Sequence, residues 1–147
     1  MFKHILIASD GSKLSGIAVK AGIKLAASTG AKVTLYRAVD EDLGTFQAEG
    51  YVMPKALRER MAREGKARLQ ANFDAVRKLA GAAGVVCDTV ADRTYTPWKG
   101  IVDEARKRRC DVIVMASHGW SGVAGVLLGS VTQKVLAHSK LPVLVYR

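Results

Sequence analysis

The segment VIVMASHG, residues 112–119, carries a continuous apolar run into a turn of small residues. Such a run is typical of a buried strand, and Gly129-Ser130, after nine intervening residues, is typical of the start of a helix. Small residues let backbone amides approach a ligand, and a helix N-terminus adds unpaired N–H donors. The segment therefore predicts a strand–loop–helix unit, whose turn either binds phosphate or only packs the strand against the helix.

The rest of the chain repeats this alternation of apolar runs and helical periodicity. We predict strands at residues 4–9, 32–39, 85–91, 111–116 and 142–146. We predict helices from near Ser12 to Gly30 and at residues 54–83, 97–109 and 129–139, with an irregular loop at residues 40–53. The pattern predicts an α/β fold, a five-stranded parallel doubly wound (Rossmann-like) sheet with helices on both faces. A length of 147 residues without a linker predicts one domain, residues 1–147.

The composition narrows the range of partners. The formal net charge of +10 favours anionic ligands. The basic residues, however, are interleaved with acids in the predicted helices and lack flanking aromatic residues, so the sequence argues against nucleic acid and leaves polyanion binding as a weaker alternative. No apolar run approaches the ~20 residues of a membrane span, and residues 1–7 lack the shape of a signal peptide. We therefore predict a cytoplasmic protein without membrane contact.

Polar residues at the ends of the predicted strands are the candidate functional groups. Asp10 follows the first strand and has two open interpretations, an N-cap of the next helix or a carboxylate that accepts ribose hydroxyls. His118 could donate to a phosphate, act as a general acid or be structural. No nucleophile–base pair accompanies it, and the spacing of Cys87 and Cys110 fits neither a metal site nor a redox pair. We therefore predict no catalytic residue and no protein metal ligand.

Four segments together resemble the universal stress protein family: ILIASDGS at 5–12, MASHG at 115–119, LGSVTQKVL at 128–136 and LPVLV at 141–145. The ATP-binding branch of that family carries Gly-x-x-Gly, nine residues, then Gly-(Ser/Thr). On this chain those positions fall on Ala116, Gly119 and Gly129-Ser130, so three of the four match. Alanine at the first position is tolerated if its φ stays negative.

The resemblance implies an adenine-nucleotide site. Asp10 would hold the ribose hydroxyls and the backbone at Ala38 would meet adenine, while main-chain and hydroxyl donors after the fourth strand would hold the phosphates of ATP. Mg²⁺ would accompany the phosphates without an all-protein cage. The implied binding residues are Ala8, Ser9, Asp10, Ala38, Met115, Ala116, Gly119, Gly129, Ser130 and Val131.

The resemblance also implies a role and an assembly. The role is an ATP-binding stress-response or signalling module with at most slow hydrolysis, since no residue set is arranged to activate water. The alternative is the branch that does not bind ATP, a dimeric protein that acts through protein–protein interaction. Ala116 and Trp120 favour that alternative, whereas Asp10, Gly119 and Gly129-Ser130 oppose it. In either case the apolar C-terminal strand implies a homodimer.

Overall fold

The computed structural model describes residues 1–39, 52–118 and 128–147. Its strands are β1 (His4–Ala8), β2 (Lys32–Val39), β3 (Cys87–Arg93), β4 (Val112–Ala116) and β5 (Val143–Tyr146). Its helices are α1 (Lys13–Thr29), α2 (Lys55–Ala82), α3 (Pro97–Lys107) and α4 (Ser130–His138). Most of the predicted loop at residues 40–53, together with Gly119 and Trp120, lies outside the described residues.

The strands form one sheet in the order β3-β2-β1-β4-β5, and every neighbouring pair is parallel. The central strand β1 pairs with both β2 and β4, so Ile5 lies opposite Val33 on one side and Val112 on the other. The strand order reverses between β1 and β4, and a crevice forms at the carboxyl ends of the strands at such a point. The predicted five-stranded parallel sheet is confirmed.

Two apolar cores cover the two faces of the sheet. Ile5 and Ile7 belong to a core that includes buried residues of α1 and α2. Leu6 and Ala8, on the opposite face of the same strand, belong to a core with α3 and α4. Because both faces are covered, all five residues of β1 are buried and apolar residues continue along the strand instead of alternating. The prediction of helices on both faces is therefore confirmed.

The edge strand β3 begins two residues later than predicted, at Cys87. The amide of Val85 donates to the carbonyl of Ala80 at 2.9 Å, so Val85 closes the end of α2, and Val86 is 69% exposed. An edge strand pairs on one side only, and polar residues are accommodated there more easily than in the centre of a sheet. The apolar residues at 85 and 86 thus mark the turn before the strand.

Helix ends agree with the predictions to within one or two residues. Gly30 has a φ of 68° and donates to the carbonyl of Ala26, so it ends α1 as a left-handed C-cap. Helix α3 ends at Lys107, before the predicted residue 109, because Arg109 has a φ of 54° and leaves the helical conformation. In the ranges that the structure describes, no helix is both long and apolar enough to cross a membrane.

Candidate functional site

A cavity of about 430 Å³ lies at the carboxyl ends of β1, β2 and β4. Its volume is in the range of small-molecule sites. Eight of the ten predicted binding residues line it: Ala8, Ser9, Asp10, Ala38, Ala116, Gly129, Ser130 and Val131. Of the other two, Met115 is 5% exposed and packs in the core beneath the cavity, and Gly119 lies outside the described residues.

The turn after β1 presents Asp10 to the cavity. Asp10 Oδ1 accepts a hydrogen bond of 2.9 Å from the amide of Ser12. The N-cap of α1 is Ser12, whose Oγ accepts from the amide of Ser15 at 3.2 Å, so the N-cap interpretation of Asp10 is wrong. Among the described residues that line the cavity, Asp10 has the only acidic side chain. A carboxylate in this position can accept hydroxyl groups of a ligand.

Serine hydroxyls and a half-buried cation hold this turn in shape. Ser9 Oγ accepts from the amide of Gly11 at 3.2 Å and lies 3.0 Å from Ser15 Oγ. The guanidinium of Arg37 packs against Gly11, because a Cβ at Gly11 would lie 2.6 Å from Arg37 Nη2. The same Nη2 donates to Asn72 Oδ1 of α2 at 3.0 Å. Gly11 also has a φ of 82°, so its backbone conformation favours glycine.

The opposite wall brings the end of β4 against the start of α4. The amide of Gly129 donates to the carbonyl of Ser117 at 2.7 Å, and Thr132 Oγ1 donates to the carbonyl of Ala116 at 3.0 Å. A Cβ at Gly129 would lie 3.2 Å from the Ser117 oxygen, so glycine allows this close approach. The amide of Gly129 is thus engaged within the protein. The amides of Ser130 and Val131, in the first turn of α4, are the main-chain donors at this wall.

The third side of the cavity is mostly apolar and includes residues that the sequence did not identify. Ala38 and Val39 at the end of β2 face Pro97 and Ile101 of α3 across it. Tyr36 lines the same region, 1% exposed, and its hydroxyl donates to Asp92 Oδ2 at 2.7 Å. Burial and the neighbouring Asp92 raise the pKa of Tyr36 far above its ordinary value, so the phenol stays neutral. An apolar slot of this kind suits a flat aromatic ring.

His118 also lines the cavity, directly after the buried residue Ser117. Its Nδ1 lies 3.2 Å from Ser117 Oγ. The sequence singled out this histidine but left its role open. Tyr36 could have been found from the two-residue alternation of strands, since it shares a face of β2 with Ala38. Pro97 and Ile101 carry no comparable signal, because their place depends on how α3 packs on the sheet.

Metal-binding and redox chemistry have little support in the described part of the chain. No group of three or more His, Cys, Asp and Glu side chains there could hold a metal ion. Cys87 and Cys110 are both free thiols, and burial raises the pKa of Cys110 to about 11 and also raises that of Cys87. Buried thiols with raised pKa values are poor nucleophiles at neutral pH. Both cysteines are therefore consistent with packing roles.

Comparisons with known proteins agree with the fold. The sequence model of the Universal stress protein family matches residues 1–147. Universal stress protein MJ0531 of Methanocaldococcus jannaschii is 33% identical over 148 residues, which cover 100% of this chain and 83% of that protein. The solved structure of hypothetical protein MJ0577, from the same organism, has a TM-score of 0.81 at 25% identity and covers 99% and 96% of the two chains. The crystal structure of a universal stress protein in complex with cAMP has a TM-score of 0.72 at 25% identity, with 99% and 97% covered.

Proposed function

Because this chain belongs to the universal stress protein family, we propose that it is an adenine-nucleotide-binding module of stress response or signalling, with ATP as its ligand. One observation carries the proposal. Residues predicted from separate segments, among them Asp10, Ala38 and Gly129-Ser130, line one cavity at the reversal of strand order. A doubly wound sheet binds its ligands at this position. The similar universal stress protein that was crystallised with cAMP supports the choice of an adenine nucleotide.

The apolar and polar groups of the cavity occur in the same order as the base, the sugar and the phosphates of a nucleotide. The apolar slot between Ala38 and Ile101 suits adenine, and Asp10 lies where it can accept the ribose hydroxyls. The first turn of α4 offers amide donors and the positive end of a helix dipole to the phosphates. This order of apolar surface, carboxylate and helix N-terminus supports a nucleoside phosphate over an uncharged ligand.

Ala116, where the ATP-binding branch has glycine, is compatible with this proposal. It is the last residue of β4, and among the described non-glycine residues only Arg109 has a positive φ. Its methyl group therefore requires no left-handed backbone. This removes one objection to ATP binding, and it weakens the case for the alternative of an interaction protein without a nucleotide.

We propose further that Mg²⁺ binds with the ATP phosphates and that hydrolysis is slow at most. Since the described residues hold no cluster of metal ligands, phosphate oxygens and water would supply the coordination that Mg²⁺ prefers. The net charge of +10 favours the approach of the anionic complex. Asp10, the only acidic residue among the described residues that line the cavity, already accepts a hydrogen bond from the Ser12 amide, and this supports slow hydrolysis at most.

The proposed setting is a homodimer in the cytoplasm, in which the whole chain acts as one domain. Strand β5 lies at the edge of the sheet, and Leu144 and Tyr146 are 40% and 37% exposed. An apolar edge of this kind can pair with the same strand of a second copy. The free thiols of Cys87 and Cys110 are compatible with a reducing compartment.

Isothermal titration of ATP with Mg²⁺ tests the proposal. Asp10→Ala removes a carboxylate acceptor, and Gly129→Val forces the end of β4 and the start of α4 apart, so each should weaken binding by about tenfold or more. Asp74→Ala and Gly81→Val are matched controls on α2, where Asp74 is exposed and Gly81 has open space beside it. If the wild-type protein binds no nucleotide, this result would favour the alternative of a protein that acts through protein–protein interaction. If neither Asp10→Ala nor Gly129→Val changes the binding of ATP, the nucleotide binds outside this cavity.

A further inference from the structure

We propose that His118 contacts the phosphates of the bound nucleotide through Nε2, so that the site responds to phosphate charge and binds ATP more tightly as the pH falls. This inference rests on the proposed function and adds a side chain to a site otherwise built from main-chain donors. It assigns to His118 one of the roles that the sequence left open, that of a phosphate donor.

The base of the His118 side chain is fixed by its neighbour. Ser117 is 3% exposed, its amide donates to the carbonyl of Tyr146 at 2.8 Å, and its own carbonyl accepts from Gly129. Ser117 Oγ lies 3.2 Å from His118 Nδ1 and orients the ring. The position of the imidazole therefore follows from the hydrogen-bonded junction of β4, β5 and α4.

The other ring nitrogen has a different environment. His118 Nε2 is buried, and no described residue hydrogen-bonds to it. Buried polar nitrogens nearly always have a partner, and those that lack one usually have a functional reason. The neighbouring ring atom Cδ2 is 3.8 Å from where a Cβ of Gly129 would lie, so this edge of the ring is beside the start of α4. That is the wall at which the phosphates are proposed to bind.

The charged groups around His118 indicate that a phosphate is the partner of its Nε2 atom. At this end of the sheet, the ionisable groups on the elements around His118 are Asp10 after β1, Tyr36 and Arg37 on β2, and Tyr146 and Arg147 at the end of β5. The first turn of α4 and the residues of α3 that line the cavity contribute no ionisable side chain. Asp10 lies at the proposed ribose position. No described carboxylate is hydrogen-bonded to Nε2, so an anionic ligand would be its acceptor.

The chemistry then predicts linkage between a proton and a phosphate. In the neutral ring, Nε2–H can donate to a phosphate oxygen while Nδ1 accepts from the Ser117 hydroxyl. In the imidazolium both nitrogens donate, Nδ1–H to Ser117 Oγ and Nε2–H to the phosphate, and this second bond is charge-assisted and stronger. Since linkage is reciprocal, protonation must tighten phosphate binding as much as phosphate favours protonation.

Titration calorimetry with adenosine, AMP, ADP and ATP, each with Mg²⁺, tests this inference at pH values from about 8 to about 6, the range in which histidine titrates. For the wild type we expect the affinity for ATP to rise about tenfold over this range, while the affinity for adenosine stays flat. His118→Phe should weaken ATP binding about tenfold near the lower pH and leave adenosine binding intact. His118→Gln keeps an N–H donor and should bind ATP without the histidine-dependent pH slope.

His138→Gln is the matched control, because His138 is exposed at the end of α4 and does not line the cavity. This variant should match the wild type at every pH, and the His118→Gln profile accounts for the titration of ATP itself. An ATP pH slope that persists unchanged in His118→Gln would overturn the inference. Equal losses of adenosine and ATP in His118→Phe would also overturn it, since they would indicate a structural role. If the wild type binds neither adenosine nor ATP, the proposed function fails instead.

Discussion

The hydroxyl of Tyr36 donates a hydrogen bond of 2.7 Å to Oδ2 of Asp92, which ties the floor of the cavity to the edge strand β3. Tyr36 is 1% exposed, and its hydroxyl reaches this carboxylate by passing directly over Gly100 of α3. The phenol of Tyr36 can occupy this position only because Gly100 has no side chain. A small residue outside the segments proposed to bind phosphate thus shapes the apolar end of the cavity.

Gly100→Ala should destabilise the protein and weaken nucleotide binding. The added Cβ would overlap the Tyr36 hydroxyl and lie 2.7 Å from Asp92 Oδ2, so the phenol must move. Overpacking of this kind typically costs about 1–3 kcal/mol, which urea unfolding measures directly. Gly81→Ala is the control, because nothing lies near its Cβ position and alanine is the better helix former. Unchanged stability in Gly100→Ala would show that the Tyr36 side chain can adopt another conformation without cost.

Asp10→Asn should weaken ATP binding by about tenfold, because an amide accepts hydroxyl groups less strongly than a carboxylate. The loss should disappear when the ligand is 2′,3′-dideoxy-ATP, which lacks both ribose hydroxyls. Titration calorimetry of the two proteins with the two nucleotides forms a double-mutant cycle that isolates this contact. If the substitution weakens both nucleotides equally, Asp10 acts through the turn that it stabilises at Ser12 and not through the ribose.

Val145→Pro should convert the proposed dimer to a monomer without unfolding it. The amides of Ile113 on β4 and of Ser117, directly after β4, donate to the carbonyls of Pro142 and Tyr146. Since hydrogen-bonding direction alternates along a strand, Val145 directs its N–H to the open edge of the sheet, where proline removes a donor that a second copy needs. Light scattering after size exclusion measures the assembly, and circular dichroism checks the fold. The control Val145→Thr keeps the N–H and should remain dimeric, so a dimer that survives Val145→Pro would contradict pairing through this edge.

His4 should make the protein less stable in mild acid. It is 7% exposed, with Nε2 2.9 Å from Thr34 Oγ1 and Nδ1 3.1 Å from the carbonyl of Arg108. Burial, and next the charge of Lys32, lower the pKa of His4 from 6.5. The unfolded chain therefore binds a proton that the folded protein resists. The stabilisation is complete above about pH 6.5 and declines as the pH falls from there towards the folded pKa.

Urea unfolding between about pH 7.5 and pH 5 measures this effect, because it covers the range in which histidine titrates. His4→Gln should flatten the decline, whereas His138→Gln, at an exposed position, should leave it unchanged. Asp111 does not interfere in this window. The amides of Lys3 and His4 lower its pKa from 3.8, so its stabilisation is lost only below that value. An unchanged pH slope in His4→Gln would contradict the assignment to this side chain.

Much of the fold could be predicted from the sequence because its signals are local. The four consecutive apolar residues 5–8 in β1 indicate a strand buried on both faces, and Gly30 indicates the left-handed end of α1. Both features depend on a few neighbouring residues and on elementary sterics. The start of β3 could not be placed in the same way, because Val85 serves the end of α2, a contact that is not visible in the run of residues itself.

The same distinction between local signals and contacts with distant residues applies to the candidate site. Asp10 and Gly129-Ser130 could be proposed from their residue types and from their positions after apolar runs. Whether Asp10 caps a helix or faces a ligand could not, since the answer depends on the turn that makes Ser12 the cap. Sequence reasoning also included Met115, which the tertiary structure buries beneath the cavity.

The sequence by itself therefore determined the strand–helix order, both ends of α1 to within a residue, and the residue types that could meet a nucleotide. Only the tertiary structure decided that Pro97 and Ile101 of α3 belong to the same cavity as Asp10. The physical reason is that a cavity is made by the order and register of the strands and by the packing of α3 and α4 on them. Those are relations between distant parts of the chain, and no local pattern of residues specifies them.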